Sequence, residues 1–407
     1  MKWEWTPFRK VVSLYALFAF LASWIDPALP ILFKNYGYDA PIISLLIGAF
    51  YIPMVVVAPT LGALSDWLGR KPLILIGMGI YAIALGMQIA TTHLFWLLTA
   101  RLLAGLGWIM VSMISVAKIE DILKQNKTRG AGTGMALSIG QLGLVTAPIV
   151  GGVLADRYGL AFPFALAGIF LLVLFLFYFR LKKITASPPK MKNSIPNPIA
   201  TFKEFIQHQP LCGLSILGMA HRSVAVLTTV FIPLYVLTEF QTGIFEIGLI
   251  LFIIHLPLLL QFLAGIMADE IGSRRTMYTG TIITIAGLIG MGYSNQFSTF
   301  AIMAFVFGIG SAMWNTSALT FLSNVSQKLK KEGTFLGQYV AIVNIGILLS
   351  YFFAGSIVDS IGIKSLFLSY ASIMGIAGII SFSLLPIQHP IGDAPRKIAY
   401  LLFKWKH

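Results

Sequence analysis

The sequence reads Gly62-Ala63-Leu64-Ser65-Asp66-Trp67-Leu68-Gly69-Arg70-Lys71 at the point where one long apolar run, 43–64, stops and another, 72–90, begins. Each run is long enough to cross a membrane as a helix. Because charged side chains inside a bilayer are costly, the charged residues between these runs must lie at the water interface. We call residues 62–71 the basic turn. It predicts a short connection between two transmembrane helices.

Each residue type in the basic turn fits a task at a membrane surface. Gly62 lets a neighbouring helix approach closely, Asp66 marks the end of a helix, and Gly69 permits a turn with positive φ. Arg70 and Lys71 favour the cytoplasmic side, because loops on that side are enriched in basic residues. The turn is therefore predicted to be cytoplasmic.

The chain contains this pattern a second time, 203 positions later, as Gly265-Ile266-Met267-Ala268-Asp269-Glu270-Ile271-Gly272-Ser273-Arg274-Arg275. Two copies in one register indicate an internal repeat rather than two unrelated connectors. The pattern G-x-x-x-D-x-x-G-[RK]-[RK] between two membrane-length runs resembles the signature between helices 2 and 3 of the major facilitator superfamily. The resemblance implies that both turns belong to the gating machinery of a transporter. The residues concerned are Gly62, Asp66, Gly69, Arg70, Lys71, Gly265, Asp269, Gly272, Arg274 and Arg275.

The composition predicts an all-α polytopic membrane protein. Of the 407 residues, 57% are hydrophobic and only 11% are charged, and the mean hydropathy is +0.85. A soluble domain carries about twice that share of charged residues. With roughly 20 apolar residues needed for each crossing, we expect twelve transmembrane helices, numbered 1 to 12. Their starts are predicted near Val11, Ile42, Pro72, Leu94, Ala131, Phe162, Leu211, Ile247, Thr276, Ser298, Phe335 and Ser365.

The repeat and the resemblance together imply the major facilitator fold, with two pseudo-symmetric six-helix bundles. Residues 1–183 are predicted to form the N-terminal bundle. Residues 211–407 are predicted to form the C-terminal bundle with a short cytoplasmic tail. Residues 184–210 are rich in Lys and Pro, so we expect a basic cytoplasmic linker there, partly extended.

The net charge of +14 indicates membrane topology rather than nucleic-acid binding. If the N-terminus is cytoplasmic, the predicted cytoplasmic segments hold 24 of the 29 Lys and Arg residues. This is the positive-inside asymmetry of membrane proteins. We therefore expect a multi-pass protein of the cell membrane, with both termini in the cytoplasm.

Several missing motifs argue against an enzyme. Cys212 is the one cysteine, which excludes a disulfide framework and a Cys-rich metal site. The sequence has no G-x-x-x-x-G-K-[ST] phosphate loop and no H-E-x-x-H zinc motif. We expect no metal and no cofactor.

Two charged residues are predicted at similar depth inside helices 1 and 4. Asp26 lies roughly 10 Å from the outer end of helix 1, at 1.5 Å per residue, and we expect it to line a wet cavity because a buried carboxylate is costly. Arg101 opens the pattern R-x-x-x-G-x-G, which resembles the superfamily's helix 4 motif, where that arginine is linked to proton coupling. A carboxylate beside a guanidinium stays ionised, and one separated from it in an apolar cavity binds a proton more readily. Asp26 and Arg101 are therefore predicted to couple protons to transport. The alternatives are that Asp26 caps a helix restarting at Pro27, or that the pair is a static ion pair.

Helix 5 carries small residues at helical spacing. Positions 143, 147 and 151 form one stripe, since four residues turn about 400° on a helix, and such a stripe lets helices pack closely. Pro148 is expected to kink the helix. The pattern resembles the antiporter motif of drug/proton antiporters, which implies export in exchange for protons. The alternative is a simple packing motif. The residues that fit are Gly134, Gly143, Ala147, Pro148, Gly151 and Gly152.

Polar, aromatic and Met side chains within the predicted helices are candidates for a substrate cavity. Aromatic and Met side chains suit loose recognition of varied shapes, although each is also an ordinary core residue. His221 can titrate near neutral pH or act as a hydrogen-bonded core residue, and Arg222 should face water, a partner or substrate. The candidates are Trp108, Met113, Gln141, His221, Arg222, His255, Trp314, Asn315 and Asn344.

These observations favour a secondary transporter. The resemblance implies proton-coupled antiport that exports small lipophilic compounds, as in twelve-helix multidrug antiporters, with the proton gradient as the energy source. We expect a monomer in the lipid bilayer, with small-molecule substrate and protons as its partners and no nucleic acid. One alternative is a facilitator of the same fold that moves an anionic solute or a lipid-linked sugar. A second is a membrane receptor or scaffold that transports nothing.

Overall fold

The computed structural model describes residues 5–57, 60–61, 64–65, 68–123, 129–181, 198–329 and 332–385. Throughout these residues the secondary structure is helical. The long apolar runs form helices because a chain in a bilayer must satisfy its own backbone hydrogen bonds. The polar residues and glycines between the runs form the short connections.

The first half of the sequence forms six helical segments. Helix 1 is interrupted, and so is helix 2, whereas helices 3 to 6 are continuous. Helix 1 comprises Trp5–Ala22, a 3-10 turn at Ser23–Ile25 and Leu29–Asn35, and helix 2 begins with Ala40–Ala49 and Ile52–Val56. Helices 3 to 6 are Arg70–Ala90, Leu94–Leu123, Arg129–Tyr158 and Phe162–Arg180.

The second half begins with a short helix, Pro198–Gln207, which precedes six further segments. Helix 7 comprises Gln209–Ser223, a π-helical turn at Leu227–Phe231 and Ile232–Glu239. Helix 8 comprises Ile244–His255, a 3-10 turn at Leu256–Leu260 and Gln261–Glu270. Helices 9 and 10 are Ser273–Tyr293 and Phe297–Lys328. Helices 11 and 12 lie within Glu332–Leu384, on either side of the non-helical residue Gly362.

The prediction of twelve crossings is confirmed. In the described part of the chain, nine helical stretches are long and apolar enough to span a membrane, and the longest of them, Phe335–Leu384, contains both helices 11 and 12. Helix 2 appears as the shorter apolar stretch Ala40–Val56. Helix 9 has 21 residues, which is long enough for a crossing, but it is less hydrophobic than the nine stretches. The chain is an all-α, multi-pass membrane protein.

The internal repeat is visible in the backbone. Gly69 and Gly272, one in each basic turn, have φ of 89° and 96° and precede helices 3 and 9. Gly159 and Gly362, again 203 positions apart, have φ of 91° and 80°. Residues with a Cβ rarely adopt this conformation. The positive φ that the motif predicts at Gly69 is therefore present, and it recurs in the copy.

Two compact units can be distinguished by contacts. The first contains the described residues within 1–195, 223–252 and 344–366, and within it helix 1 packs on helices 4 and 5 while helix 3 packs on helices 4 and 6. The second contains the described residues within 196–222, 253–343 and 367–407, and within it helix 10 packs on helix 9 and on the second part of helix 8. The boundaries predicted at 1–183, 184–210 and 211–407 remain a prediction based on the internal repeat. Residues 182–197 of the linker region and 386–407 of the tail lie outside the described residues.

Candidate functional site

The Arg101 side chain is buried in the first unit, on helix 4. It is only 4% exposed, its Nη2 donates to the carbonyl oxygen of Ile47 at 3.4 Å, and its guanidinium lies 4.8 Å from the centre of the Phe50 ring. Among the described residues its Nε has no hydrogen-bond partner. A guanidinium that is buried without a bonded carboxylate is costly in a bilayer. Such a group is poised to take another partner.

Asp26 lies at the interruption of helix 1. It follows the 3-10 turn, is half-buried, and accepts a hydrogen bond from the Ser23 side chain. It interacts electrostatically with Arg101, yet in the described part of the chain the two groups form no ion pair within 4 Å. The helix restarts at Leu29, with Pro30 in its first turn, rather than at Pro27. Asp26 is therefore near Arg101 and is neither locked to it nor the cap of the restarted helix.

Tyrosines surround Arg101 on helices 2, 3 and 11. Tyr51, Tyr81 and Tyr351 each interact electrostatically with the guanidinium. Tyr81 donates to the carbonyl oxygen of Ala22 at 3.2 Å, which ties helix 3 to the interruption in helix 1. We call Asp26, Phe50, Tyr51, Tyr81, Arg101 and Tyr351 the Arg101 cluster.

Tyr351 joins the cluster to helix 11. Its ring stacks on that of Tyr51 with centroids 5.2 Å apart, and its hydroxyl is hydrogen-bonded to Thr229 Oγ1. Its carbonyl accepts a hydrogen bond from Ser44 Oγ at 2.6 Å. A Cβ added to Gly48 would lie 2.5 Å from the Tyr351 Cβ, so a glycine is needed for helices 2 and 11 to meet. We call this contact of helices 2 and 11 the tyrosine clasp.

The small-residue stripe of helix 5 packs against helix 1. A Cβ on Gly143 would lie 2.8 Å from the carbonyl oxygen of Ala16. A Cβ on Gly151 would overlap the carbonyl oxygen of Trp24. Ala147, between them, is fully buried. The stripe thus holds helix 1 at the level of its interruption, because Trp24 is two residues from Asp26.

The neighbouring face of helix 5, rotated about 100° from the stripe, meets helix 8 within the same unit. A Cβ on Gly152 would lie 2.9 Å from the carbonyl oxygen of Ile244. A Cβ on Gly248 would overlap the carbonyl oxygen of Pro148. Helix 5 is continuous through Pro148. Gly134 lies in the first turns of this helix, at a position for which only the backbone is described.

In the first basic turn, Gly62 and Asp66 lie outside the described residues. Arg70 donates from Nε to Asp121 at 2.7 Å and from Nη1 to Ser65 at 2.8 Å, so it ties the turn to the end of helix 4. Lys71 donates to the carbonyl oxygens of Phe179 and Leu181 at 2.9 and 2.5 Å, at the end of helix 6. Sequence reasoning missed Asp121.

The second basic turn repeats part of this pattern. Arg274 is buried, donates to the carbonyl oxygen of Phe382 at 2.9 Å and lies 4.4 Å from the Phe382 ring centre. Asp269 and Arg275 are exposed. The nearest atom to a Cβ built on Gly265 is 3.7 Å away, on Thr316.

Two of the predicted cavity residues are in direct contact. The His221 ring stacks on Trp314 at 4.1 Å, and its Nε2 is 2.9 Å from Thr281 Oγ1. His221 is 8% exposed. Helices 7, 9 and 10 therefore meet at a hydrogen-bonded histidine, which is the core role that the sequence left open.

The remaining cavity candidates are distributed over both units. Trp108 contacts Phe18 and Phe50 at ring distances of 5.6 and 6.3 Å, at the edge of the Arg101 cluster. Arg222 is exposed and interacts electrostatically with Tyr339. Met113 is exposed, Asn344 is buried, and three side chains are half-buried, namely Gln141, His255 and Asn315.

In the described residues no group of three His, Cys, Asp or Glu side chains could hold a metal ion. What the structure offers instead is a set of membrane-crossing helices, two charged side chains at an interrupted helix, and contacts that a helix movement can break. These features suit a membrane transporter. The chain belongs to the Major Facilitator Superfamily, whose family model matches residues 11–258 and 214–407.

Relatives and solved structures agree with this membership. The chain is 24% identical to an uncharacterised MFS-type transporter, MJ1560, of Methanocaldococcus jannaschii over 88% of its length and 93% of the relative's. It is 26% identical to a multi-drug resistance efflux pump PmrA homolog of Lactococcus lactis, over 75% of this chain and 77% of that one. The crystal structure of the nucleoside transporter NupG superposes with a TM-score of 0.78 at 15% identity, covering 94% of this chain and all of the other, and so supports the fold alone.

Proposed function

We propose that this transporter exports small lipophilic compounds in exchange for protons. It would act as a monomer in the cell membrane, with both termini in the cytoplasm, and would need no cofactor because the proton gradient supplies the energy. Similarity to a protein named as a multi-drug efflux pump supports the substrate class. The fit of helix 5 to the antiporter pattern supports the direction of transport.

The observation that carries the proposal is the position of Asp26 beside Arg101 at the interruption of helix 1. The sequence predicts Asp26 to be the one carboxylate well inside a span, and among the described residues it forms no ion pair with the guanidinium. Protonation removes the attraction between Asp26 and Arg101, so the balance of forces on helix 1 changes. Because Gly151 of helix 5 touches Trp24, that change reaches helix 5 directly.

The tyrosine clasp supplies a step of alternating access. In the proposed topology Tyr51 and Tyr351 lie toward the outer ends of helices 2 and 11, and their contact closes that side. Gly152 and Gly248 close the same side between helices 5 and 8. Opening to the outside breaks both contacts and exposes Asp26 to external protons.

Arg222 favours a second candidate function. An exposed guanidinium within helix 7 suits an anionic substrate. A facilitator that moves an anionic solute or a lipid-linked sugar would use Arg222 for recognition and would need no proton gradient.

Drug uptake into inverted membrane vesicles tests the proposal. We expect radiolabelled lipophilic drug to accumulate only with an imposed proton gradient, and Asp26→Asn to abolish uphill accumulation while leaving downhill exchange measurable. Asp359→Asn is the matched control, because Asp359 is exposed at the end of helix 11. Full gradient-driven export by Asp26→Asn refutes the coupling role. Gradient-independent uptake of an anion that is lost in Arg222→Gln supports the second candidate.

A further inference from the structure

A groove runs along the surface of helices 9 and 12 in the second unit. It encloses about 280 Å³. Its outer residues are strongly exposed, with Ile282 at 67% and Ile379 at 76%, so the groove opens toward lipid. The residues that line it are Tyr278, Thr281, Ile282, Ile285, Met374, Gly375, Gly378, Ile379 and Phe382.

Two glycines create the groove. A Cβ built on Gly375 or Gly378 has no atom within 4 Å, so the space beside each glycine is empty of protein. In the first half of the internal repeat, the positions 203 residues earlier are Leu172 and Phe175. Large side chains thus stand on helix 6 where helix 12 has none.

The length of the groove matches part of one leaflet. Its residues on helix 12 extend from Met374 to Phe382, which is about 12 Å at 1.5 Å per residue. The hydrocarbon core of a bilayer is about 30 Å thick. The groove therefore spans most of the apolar depth of one leaflet, which is the depth at which acyl chains lie.

One end of the groove is basic. Arg275, Tyr278, Ile282 and Ile285 follow a spacing of three, four and three residues, so they share one face of helix 9. Arg275 is exposed at the end of this face, and its counterpart in the first half of the repeat is Pro72.

The neighbouring Arg274 is 7% exposed and lies over the Phe382 ring at 4.4 Å. In the described part of the chain its Nε has no partner, and no carboxylate lies within 4 Å of either arginine. Two guanidiniums without a carboxylate at the mouth of an apolar groove match an anionic headgroup above an acyl chain.

We propose that the groove binds one anionic phospholipid, with an acyl chain between helices 9 and 12 and the phosphate at the exposed Arg275, where the buried Arg274 adds positive charge. The lipid comes from the leaflet that faces the second basic turn. The site uses no residue of the Arg101 cluster, so it is separate from the proposed proton coupling, although its arginines belong to the second basic turn.

Native mass spectrometry of the purified full-length protein tests this site. The probe is phosphatidylglycerol with two 16-carbon chains, compared with phosphatidylcholine of the same chains. One basic residue near a membrane surface changes anionic-lipid binding about fivefold, so Arg275→Gln should weaken phosphatidylglycerol binding by about that factor. The double variant Gly375→Leu with Gly378→Phe fills the groove with the residue types of helix 6. It should weaken phosphatidylglycerol binding about tenfold or more, because the acyl chain loses its contacts with the groove.

Two control variants keep the result specific. Gly86→Leu adds a side chain at another exposed glycine that has no neighbour within 4 Å, and Arg180→Gln removes another exposed arginine. Both should bind phosphatidylglycerol as the unchanged protein does. If the double variant fails to fold, as judged by gel filtration and melting temperature, Arg275→Gln decides alone.

Three results would overturn the proposal. The first is that the unchanged protein binds phosphatidylglycerol and phosphatidylcholine equally. The second is that a folded groove-filled variant or Arg275→Gln binds phosphatidylglycerol as strongly as the unchanged protein. The third is that soluble glycerol phosphate displaces the lipid at equal concentration. The last would locate an anion site without the acyl chain.

Discussion

Replacing Gly48 with alanine should force the tyrosine clasp open. The added Cβ would lie 2.5 Å from the Cβ and 2.8 Å from the Cγ of Tyr351, whereas carbon atoms in contact are about 3.5–4.0 Å apart. Tyr351 cannot swing away, because its ring stacks on Tyr51 and its hydroxyl and carbonyl are bonded to Thr229 and Ser44. Helices 2 and 11 must therefore separate by about 1 Å.

The cost of this overlap falls on one conformation. Overpacking a tight contact costs about 1–3 kcal/mol, and only the state in which the clasp is closed contains the contact. The two end states of an alternating-access transporter lie within a few kcal/mol of each other. A penalty of about 1–3 kcal/mol therefore shifts their ratio about 5- to 150-fold toward the state in which helices 2 and 11 are apart.

Thiol labelling measures this shift. A reporter Ala40→Cys lies at the contact, since a Cβ on Gly355 would be 3.1 Å from the carbonyl oxygen of Ala40. The background is Cys212→Ser, in which the serine hydroxyl can keep the hydrogen bond that Sγ makes to the Ile206 carbonyl. With Gly48→Ala added, a membrane-impermeant maleimide should react with the reporter about 5 to 150 times faster.

Gly86→Ala serves as the matched control, because a Cβ at Gly86 has no neighbour within 4 Å. It should leave the labelling rate of the reporter unchanged. If Gly48→Ala and Gly86→Ala label at the same rate, the clasp does not gate the outer side, and the proposed conformational step is wrong.

Two further predictions concern helix 5 and the basic turns. Gly151→Leu should block transport while the protein still inserts, because the side chain would overlap the Trp24 carbonyl. Vesicle uptake checks this against the control Gly168→Leu, where the nearest atom to an added Cβ is 3.9 Å away. Normal transport by Gly151→Leu would leave the stripe without a role in antiport. Asp66→Asn should raise the rate of thiol labelling at the cytoplasmic mouth about two- to fivefold. This factor corresponds to the free energy by which one carboxylate at a helix N-terminus stabilises the state closed on that side. Adding Asp269→Asn should raise the rate further. Unchanged labelling in the double variant would make both turns simple connectors.

Helix count and the repeat could be predicted from the sequence because both depend on local chemistry. A bilayer requires apolar runs of a set length, and two motifs in one register fix where the runs end. The positive φ at Gly69 and Gly272 follows from the same local requirement. These features need no knowledge of which helices touch.

The composition of the Arg101 cluster could not be predicted in the same way. Ile47 and Tyr351 are 54 and 250 positions from Arg101 in the sequence, and only the packing of helices 2, 4 and 11 brings them together. Tyrosine hydroxyls inside otherwise apolar runs, at Tyr51 and Tyr81, were the one available signal, since a buried hydroxyl requires a partner.

The short helix Pro198–Gln207 shows a related limit. From the sequence alone, residues Thr201 to Gln207 could equally form a short surface helix that lies on anionic lipid. In the structure Phe205 is fully buried against Phe335 with ring centres 5.5 Å apart, and Gln338 donates to Thr201 at 2.9 Å. An apolar face indicates that something covers it, but a lipid and the end of another helix bury it equally well.

The internal repeat also separates two tasks within the basic turns. Lys71 and Arg274 are 203 positions apart, and so are Phe179 and Phe382, whose carbonyl oxygens accept from them. A cation at the C-terminal end of a helix stabilises it, so in each half this residue anchors the last turn of helix 6 or helix 12. In the first half Arg70 also donates a hydrogen bond to Asp121. The residue that corresponds to Arg70 in the second half is Ser273. Arg70, Lys71 and Arg274 therefore hold helices of the same half together. We accordingly assign to Asp66 and Asp269 the task of distinguishing one conformational state from the other.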